Sequence, residues 1–311
     1  MEDVLDYLAE NIKKEIQKYV LDKQEIEEIR LRINKPIILK KTNGNKILIH
    51  IVSKEELLET FQKICEHSIY SYQKQICEGF ITIKGGHRVG ITGSPVEEDG
   101  KIININYISS LNFRIAREKK DVSKNIIKYI IQNNEVLNTL IVSKPGCGKT
   151  TILRDLVRKI STGIEEIQFK AKTCGIVDER GEIAAMYKGT PQNDIGILSD
   201  VMDNVSKSKG MRMLIRSMSP EIIVCDEIGS KEDTQAINYA VTSGVKGIFT
   251  AHGNSLEDIM LNEELKKILD KQLIETIIIL DDENKGEIKS VYVLDKENKT
   301  YNNYFEKNNL I

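Results

Sequence analysis

The feature that most constrains this chain is a short apolar run, Leu140-Ile141-Val142, that passes into Ser143-Lys144-Pro145-Gly146-Cys147-Gly148-Lys149-Thr150-Thr151 and then into Ile152, Leu153, Leu156 and Val157 at helical spacing. Strand, loop and helix in that order, with small residues at the bend, aim main-chain N–H groups at an anion beside the helix start. Binding a nucleotide's phosphates at such a bend needs a lysine that reaches the outer oxygens and a hydroxyl for Mg²⁺. Gly146, Gly148, Lys149 and Thr150 supply these parts, so Pro145, Gly146, Cys147, Gly148, Lys149, Thr150 and Thr151 are the candidate nucleotide-binding residues, with Thr150 on the metal. Ser143 stands where the pattern G-x-x-x-x-G-K-[ST] has its first glycine. Glycine tolerates turns that serine resists, so the loop's opening is where this chain departs from the pattern.

Downstream, apolar strand-like runs alternate with helical stretches at 139–143, 151–160, 175–177, 211–218, 222–225, 233–242 and 247–250, and 276–280 with 290–294 reads as a closing hairpin. That alternation predicts an α/β domain with a mostly parallel sheet. Three of its strands end in side chains with chemistry. Ile222-Ile223-Val224-Cys225 runs into Asp226 and Glu227, where Asp226 is expected to hold Mg²⁺ through its water shell and Glu227 to polarise an attacking water. Gly175-Ile176-Val177 runs into Asp178-Glu179-Arg180-Gly181-Glu182-Ile183. Thr250-Ala251-His252-Gly253 ends a further strand, with His252 placed to sense a terminal phosphate. In a parallel sheet these carboxyl ends share the rim that carries the loop.

Upstream the pattern changes. Val4, Leu5, Leu8, Ile12, Ile16 and Tyr19 predict one opening amphipathic helix packed on a core. Runs at 26–33, 37–40 and 46–51 read as strands, and Ser53 with Glu56 forms a capping box at the head of a helix. Residues 79–107 are β-rich, with a turn at Asp99-Gly100. The polar run 117–123 reads as a linker into a helix carrying Ile126, Ile127, Ile130 and Ile131, so the expected domains are a mixed α+β one over 1–118 and an α/β one over 119–311.

The balance of 45 Lys and Arg against 47 Asp and Glu, with 5% aromatic residues, argues against a protein built to neutralise a nucleic-acid backbone. Cys65, Cys77, Cys147, Cys174 and Cys225 are scattered without a C-x-x-C, which fits neither a disulfide framework nor a zinc module. The opening Met1-Glu2-Asp3-Val4 lacks the marks of a signal peptide, and no apolar run approaches the roughly 20 residues that span a bilayer. A cytoplasmic protein with no transmembrane segment is expected.

Taken together the chain resembles the stage III sporulation protein AA family, a branch of the type II/IV secretion ATPases. The resemblance is carried by Glu28-Ile29-Arg30-Leu31-Arg32, Gly85-Gly86-His87-Arg88-Val89-Gly90, the phosphate loop, residues 177–183, residues 211–226 with Ile215-Arg216-Ser217-Met218-Ser219-Pro220, and residues 250–253. It implies an α/β fold with a RecA-like P-loop ATPase domain over 119–311 and a mixed α+β N-terminal domain. It also implies ATP and Mg²⁺ as cofactors, a homohexamer, and peripheral docking in the mother cell on membrane proteins of a channel to the forespore. By the same resemblance, Asp226 and Glu227 form the Walker B pair, Glu179 the acid of the Asp box and His252 the residue of the His box. Arg88, Arg114, Arg117, Arg180, Arg212 and Arg216 are candidate arginine fingers acting across a subunit boundary. Two other classes share the loop: a RecA-like nucleic-acid-dependent ATPase, against which the charge balance stands, and a small-molecule kinase, which rarely needs a first domain of this size.

Overall fold

The computed structural model describes residues 2–19 and 26–304; Met1 and the stretches 20–25 and 305–311 of the two expected domains lie outside the described residues. The chain divides into two compact units, Met1–Glu118 with Ala185–Gln192, and Lys119–Ala184 with Asn193–Ile311.

In the first unit the strands are β1 (Ile26–Arg32), β2 (Pro36–Lys41), β3 (Gly44–Ile51), β4 (Phe80–Ile83), β5 (His87–Glu98) and β6 (Lys101–Arg114). They form one antiparallel sheet in the order β3-β2-β1-β6-β5-β4. Alternate residues point to its core: Ile29 and Leu31, Ile37 and Leu39, Val89 and Ile91, Leu111 and Phe113 are all buried. Helices α1 (Glu2–Leu5), α2 (Glu10–Gln17), α3 (Lys54–Ile64) and α4 (Gln73–Cys77) lie beside them in sequence, and Val4, Leu8, Ile12, Ile16, Leu57, Phe61 and Ile76 fill the same core. The single opening helix expected from periodicity is therefore two. Ala9 is extended, and its N–H donates to the Thr60 hydroxyl at 3.0 Å rather than to a carbonyl one turn back. The apolar stripe stays buried across the break. The capping box forms as its spacing requires, with the Glu56 N–H on the Ser53 hydroxyl and the Ser53 N–H on the Glu56 carboxylate.

Ala185–Gln192, which the sequence reading leaves in the second domain, groups with the first unit. There the Tyr187 hydroxyl donates to Glu66, Lys188 pairs with Glu66, and the Gly85 N–H donates to the Gln192 side chain at 2.8 Å.

The second unit opens with α5 (Lys124–Ile130) and the short pair β7 (Ile131–Gln132) and β8 (Glu135–Val136). Then follow β9 (Thr139–Ser143), α6 (Lys149–Thr162), β10 (Cys174–Asp178), β11 (Ser199–Asp203), α7 (Lys207–Met218), β12 (Ile222–Cys225), α8 (Lys231–Thr242) and β13 (Lys246–His252). Helices α9 (Leu256–Leu261) and α10 (Glu263–Asp270) and strands β14 (Thr276–Leu280), β15 (Ile288–Asp295) and β16 (Thr300–Asn303) complete it. The sheet order is β11-β10-β12-β13-β9-β14-β15-β16, parallel from β11 to β14 and antiparallel beyond. Strands β9, β10, β12 and β14 are buried along their whole length, which is why they read as unbroken apolar runs. The half-buried edge strand β11, Ser-Asp-Val-Met-Asp, has no such run and was not expected.

The end of the polar run 117–123 is anchored by a buried acid. Asp155 of α6 accepts from the Asp121 N–H (3.1 Å), the Ser123 N–H (2.9 Å) and the Ser123 hydroxyl (2.6 Å), and pairs with Arg158 at 2.7 Å. Burial by itself would raise this carboxyl's pKa, but the Ser123 and Arg158 contacts outweigh it and hold the group below its ordinary value. Asp155→Ala is expected to destabilise this unit by about 3 kcal/mol at neutral pH, because partners are left buried and unpaired. A depressed folded-state pKa gives stability that is present above the unfolded value of about 3.9 and lost as pH falls through the folded one. Urea melts of wild type and Asp155→Asn should therefore differ at pH 7 and converge below about pH 4; curves that stay equally separated across that range contradict the account.

Candidate functional site

Four parallel strand ends build this site. β9 remains extended through Ser143, which is buried and lies outside the left-handed region, so glycine's freedom is not needed at that position. The left-handed residues of the loop are Gly146 (φ 80°) and Gly148 (φ 96°). An added Cβ would meet nothing within 4 Å at either, so backbone conformation rather than crowding calls for glycine. Gly148 caps α6 without a side-chain hydrogen bond, which leaves the first-turn amides uncapped by side chains. In the rest of the loop Pro145 is exposed, Cys147 buried and Thr151 half-buried.

Lys149 is buried in the curl of the loop. Its Nζ donates to the carbonyls of Ser143 (2.8 Å) and Lys144 (3.1 Å) and to the Ser143 hydroxyl (3.3 Å), and lies 3.3 Å from His252 Nδ1. Burial lowers its pKa, with Asp226 and Glu227 pulling the other way. One residue on, the Thr150 hydroxyl donates to Asp226 Oδ2 at 2.6 Å. The other oxygen, Oδ1, accepts from the Thr250 hydroxyl and from the Glu227 N–H at 3.0 Å. Glu227 has φ 51°, and its carboxylate is gripped at both oxygens, by Arg180 Nη1 at 2.8 Å and by His252 Nε2 at 3.2 Å. The His252 ring thus bridges the two, with Nδ1 toward Lys149 and Nε2 toward Glu227.

Strand β10 brings a second set. Asp178 accepts the N–H groups of Glu182 (2.8 Å), Ile183 (3.0 Å) and Ala184 (2.8 Å), and Arg154 of α6 donates to the carbonyls of Ile183 and Glu182, so the following turn is fixed from both sides. Glu179 pairs with Lys207, the first residue of α7, at 2.7 Å. Burial would lower the Lys207 pKa, but Glu179 outweighs it and raises it. Between Glu179, Arg180, Lys207, Asp226 and Glu227 is a cavity of about 20 Å³, room for one water molecule.

The loop, Glu179, Asp226, Glu227 and His252 are thus brought together. Of the six arginines, among the described residues only Arg180 touches this cluster. Arg88 lies over the Phe80 ring at 3.4 Å, Arg117 donates to the Ile26 carbonyl, Arg212 faces the Tyr239 ring and Arg216 is exposed on α7. Arg114 is exposed; Glu28, opposite it on β1, is already engaged by Arg30 and Lys40. Lys207, Arg154 and Thr250 were missed as site residues, because a lysine at a helix start, an arginine in a helix and a threonine in a strand carry no local signal.

Thr150 and Asp226 supply oxygen donors suited to a hard cation. Mg²⁺ keeps several waters and is typically held by one or two protein oxygens plus substrate phosphates, a donor set that these two side chains fit.

The strand order and the loop at the end of β9 define a RecA-like P-loop ATPase domain, preceded by a mixed α+β N-terminal domain. The fold is shared with the ATPase DotB of Legionella pneumophila (TM-score 0.61, 16% identity, 93% of this chain and 82% of that one). It is shared also with the pilus retraction motor PilT solved with bound ADP (TM-score 0.54, 16% identity, 88% and 77%). The chain belongs to the family described as sporulation stage III, protein AA, whose model matches residues 1–299. It is 38% identical over 295 residues to the stage III sporulation protein AA of Bacillus subtilis, covering 94% of this chain and 95% of that protein.

Proposed function

We propose that this protein is a Mg²⁺-dependent ATPase that energises or assembles a channel between mother cell and forespore during sporulation. The observation that carries the reading is the convergence of Lys149, Thr150, Asp226 and Glu227 at one rim, joined by the 2.6 Å contact of Thr150 with Asp226. Lys149 exchanges its neutral carbonyl partners for phosphate oxygens, and its burial strengthens the attraction. Thr150 and Asp226 would hold Mg²⁺, and the bound ion would supply positive charge to offset that of the phosphates. Glu227 orients a water and draws on its proton, while Glu179, held by Lys207, faces the same water-sized cavity. His252, between Lys149 and Glu227, is placed to report whether the terminal phosphate is present.

Family membership supports the sporulation setting. Peripheral docking from the cytoplasm, on membrane proteins of the channel, is part of the same reading; among the described residues no helix is long and apolar enough to cross a membrane. The functional form in this reading is a homohexamer with nucleotide between subunits. Arg180 then serves from within the chain, and Arg114, exposed and without an ion-pair partner among the described residues, is the preferred finger from a neighbour.

Two outcomes test this. Lys149→Ala should lose nucleotide affinity, whereas Glu227→Gln should bind ATP normally and turn it over at least roughly a hundredfold more slowly, the scale of a lost general base; wild-type rates in both variants would refute the site. Specific activity should rise with protein concentration as hexamers form. An excess of Glu227→Gln subunits should then restore turnover to a minority of Arg114→Ala subunits, since a finger in trans is worth on the order of 10³ in rate. Monomers with full, concentration-independent activity would contradict the assembly.

A further inference from the structure

Asp226 and Glu227 are adjacent, yet both are needed on one rim. In a continuing strand, neighbouring side chains point to opposite faces, so one acid would be turned away. The chain resolves this by ending β12 at Cys225 and placing Glu227 at φ 51°, a left-handed conformation that side chains other than glycine resist. Asp226 then faces Thr150 while Glu227 reverses toward Arg180 and His252. Such a turn persists only where surrounding contacts over-determine it.

The Glu227 N–H is shared between Asp226 Oδ1 at 3.0 Å and a residue of the neighbouring strand, Thr250, which makes the shorter contact and holds the next amide as well. The Thr250 hydroxyl accepts the Glu227 N–H at 2.8 Å and gives its only proton to Asp226 Oδ1. The Thr250 carbonyl accepts the next amide, that of Ile228, at 2.8 Å. Thr250 is fully buried in β13, in register with Ile141 of β9, so its own position is fixed by the sheet between the two functional strands. We infer that Thr250 is a positioning residue for hydrolysis: its hydroxyl sets the left-handed turn that aims Glu227 and orients the Asp226 carboxylate, without itself touching the nucleotide. The inference rests on the ATPase reading above and deepens it. It requires a hydroxyl at position 250 and is indifferent to the methyl group.

The test uses the full-length protein with Mg²⁺ and ATP, reading turnover and, separately, the dissociation constant of a fluorescent ATP analogue. Thr250→Val keeps the β-branched shape and removes the oxygen. Its turnover should fall on the order of a hundredfold, the cost of misplacing a catalytic group by about 1 Å, with nucleotide affinity kept within about threefold. Thr250→Ser should stay within about threefold of wild type in both. In a Glu227→Gln background, Thr250→Val should slow turnover by much less than it does alone, because a large part of its effect acts through Glu227 and only the Asp226 contact remains to be lost. Should Thr250→Val fail to fold, Thr250→Ala and Thr250→Ser form the replacement pair, since both lose the methyl and only the first loses the hydroxyl. Wild-type turnover in Thr250→Val, a serine variant as slow as the valine or alanine one, or full additivity with Glu227→Gln overturns the inference while leaving the ATPase reading intact. A wild-type protein that neither binds nor hydrolyses ATP overturns both.

Discussion

The Asp226 carboxylate is the joint on which this site depends. One oxygen takes the hydroxyl of Thr150, at the start of the helix after the loop; the other takes the hydroxyl of Thr250, on the strand between. Two short side chains and a carboxylate thereby tie α6, β12 and β13 together at their functional ends. Thr250 is fully buried and Thr150 and Asp226 are half-buried, so a carboxylate that lost these partners would be only partly resolvated. Removing Asp226 strips a partner from both threonines, and removing either threonine strips one from Asp226.

The parallel sheet makes the joint possible. Strands β9, β10, β12 and β13 run the same way, so each delivers its last residue to one rim, and the helices that return the chain supply the burial that the strands demand. Charge follows the same plan. Four carboxylates, Asp178, Glu179, Asp226 and Glu227, are each satisfied by backbone amides, a hydroxyl or a cation from another part of the unit. Lys149 is the exception: it rests on neutral oxygens, the partners that a phosphate most readily displaces.

Much of this was legible in the sequence because it is written locally. The run before Ser143, the glycines that take left-handed turns, the apolar strand before Asp226 and the capping box at Ser53 are each set by neighbours within a few residues. What escaped is settled by contacts distant in sequence. The break at Ala9 depends on Thr60, the pairing of Glu179 on Lys207, and the turn at Glu227 on Thr250. The edge strand β11 lacks the apolar run of the buried strands because only part of it is covered. Ser143 departs from the general motif, yet it ends β9 outside the left-handed region, where a serine is accommodated as well as a glycine.

Electron paramagnetic resonance of Mn²⁺, used in place of Mg²⁺, tests whether Thr150 and Asp226 form a divalent-cation site completed by a bound nucleotide. With ATP and the slow Glu227→Gln protein, tight Mn²⁺ binding should appear that is absent without nucleotide, and adding Asp226→Asn should weaken it at least about tenfold, the scale expected for residues that orient a metal's ligands. Mn²⁺ affinity that is indifferent to nucleotide, or unchanged by Asp226→Asn, would contradict it.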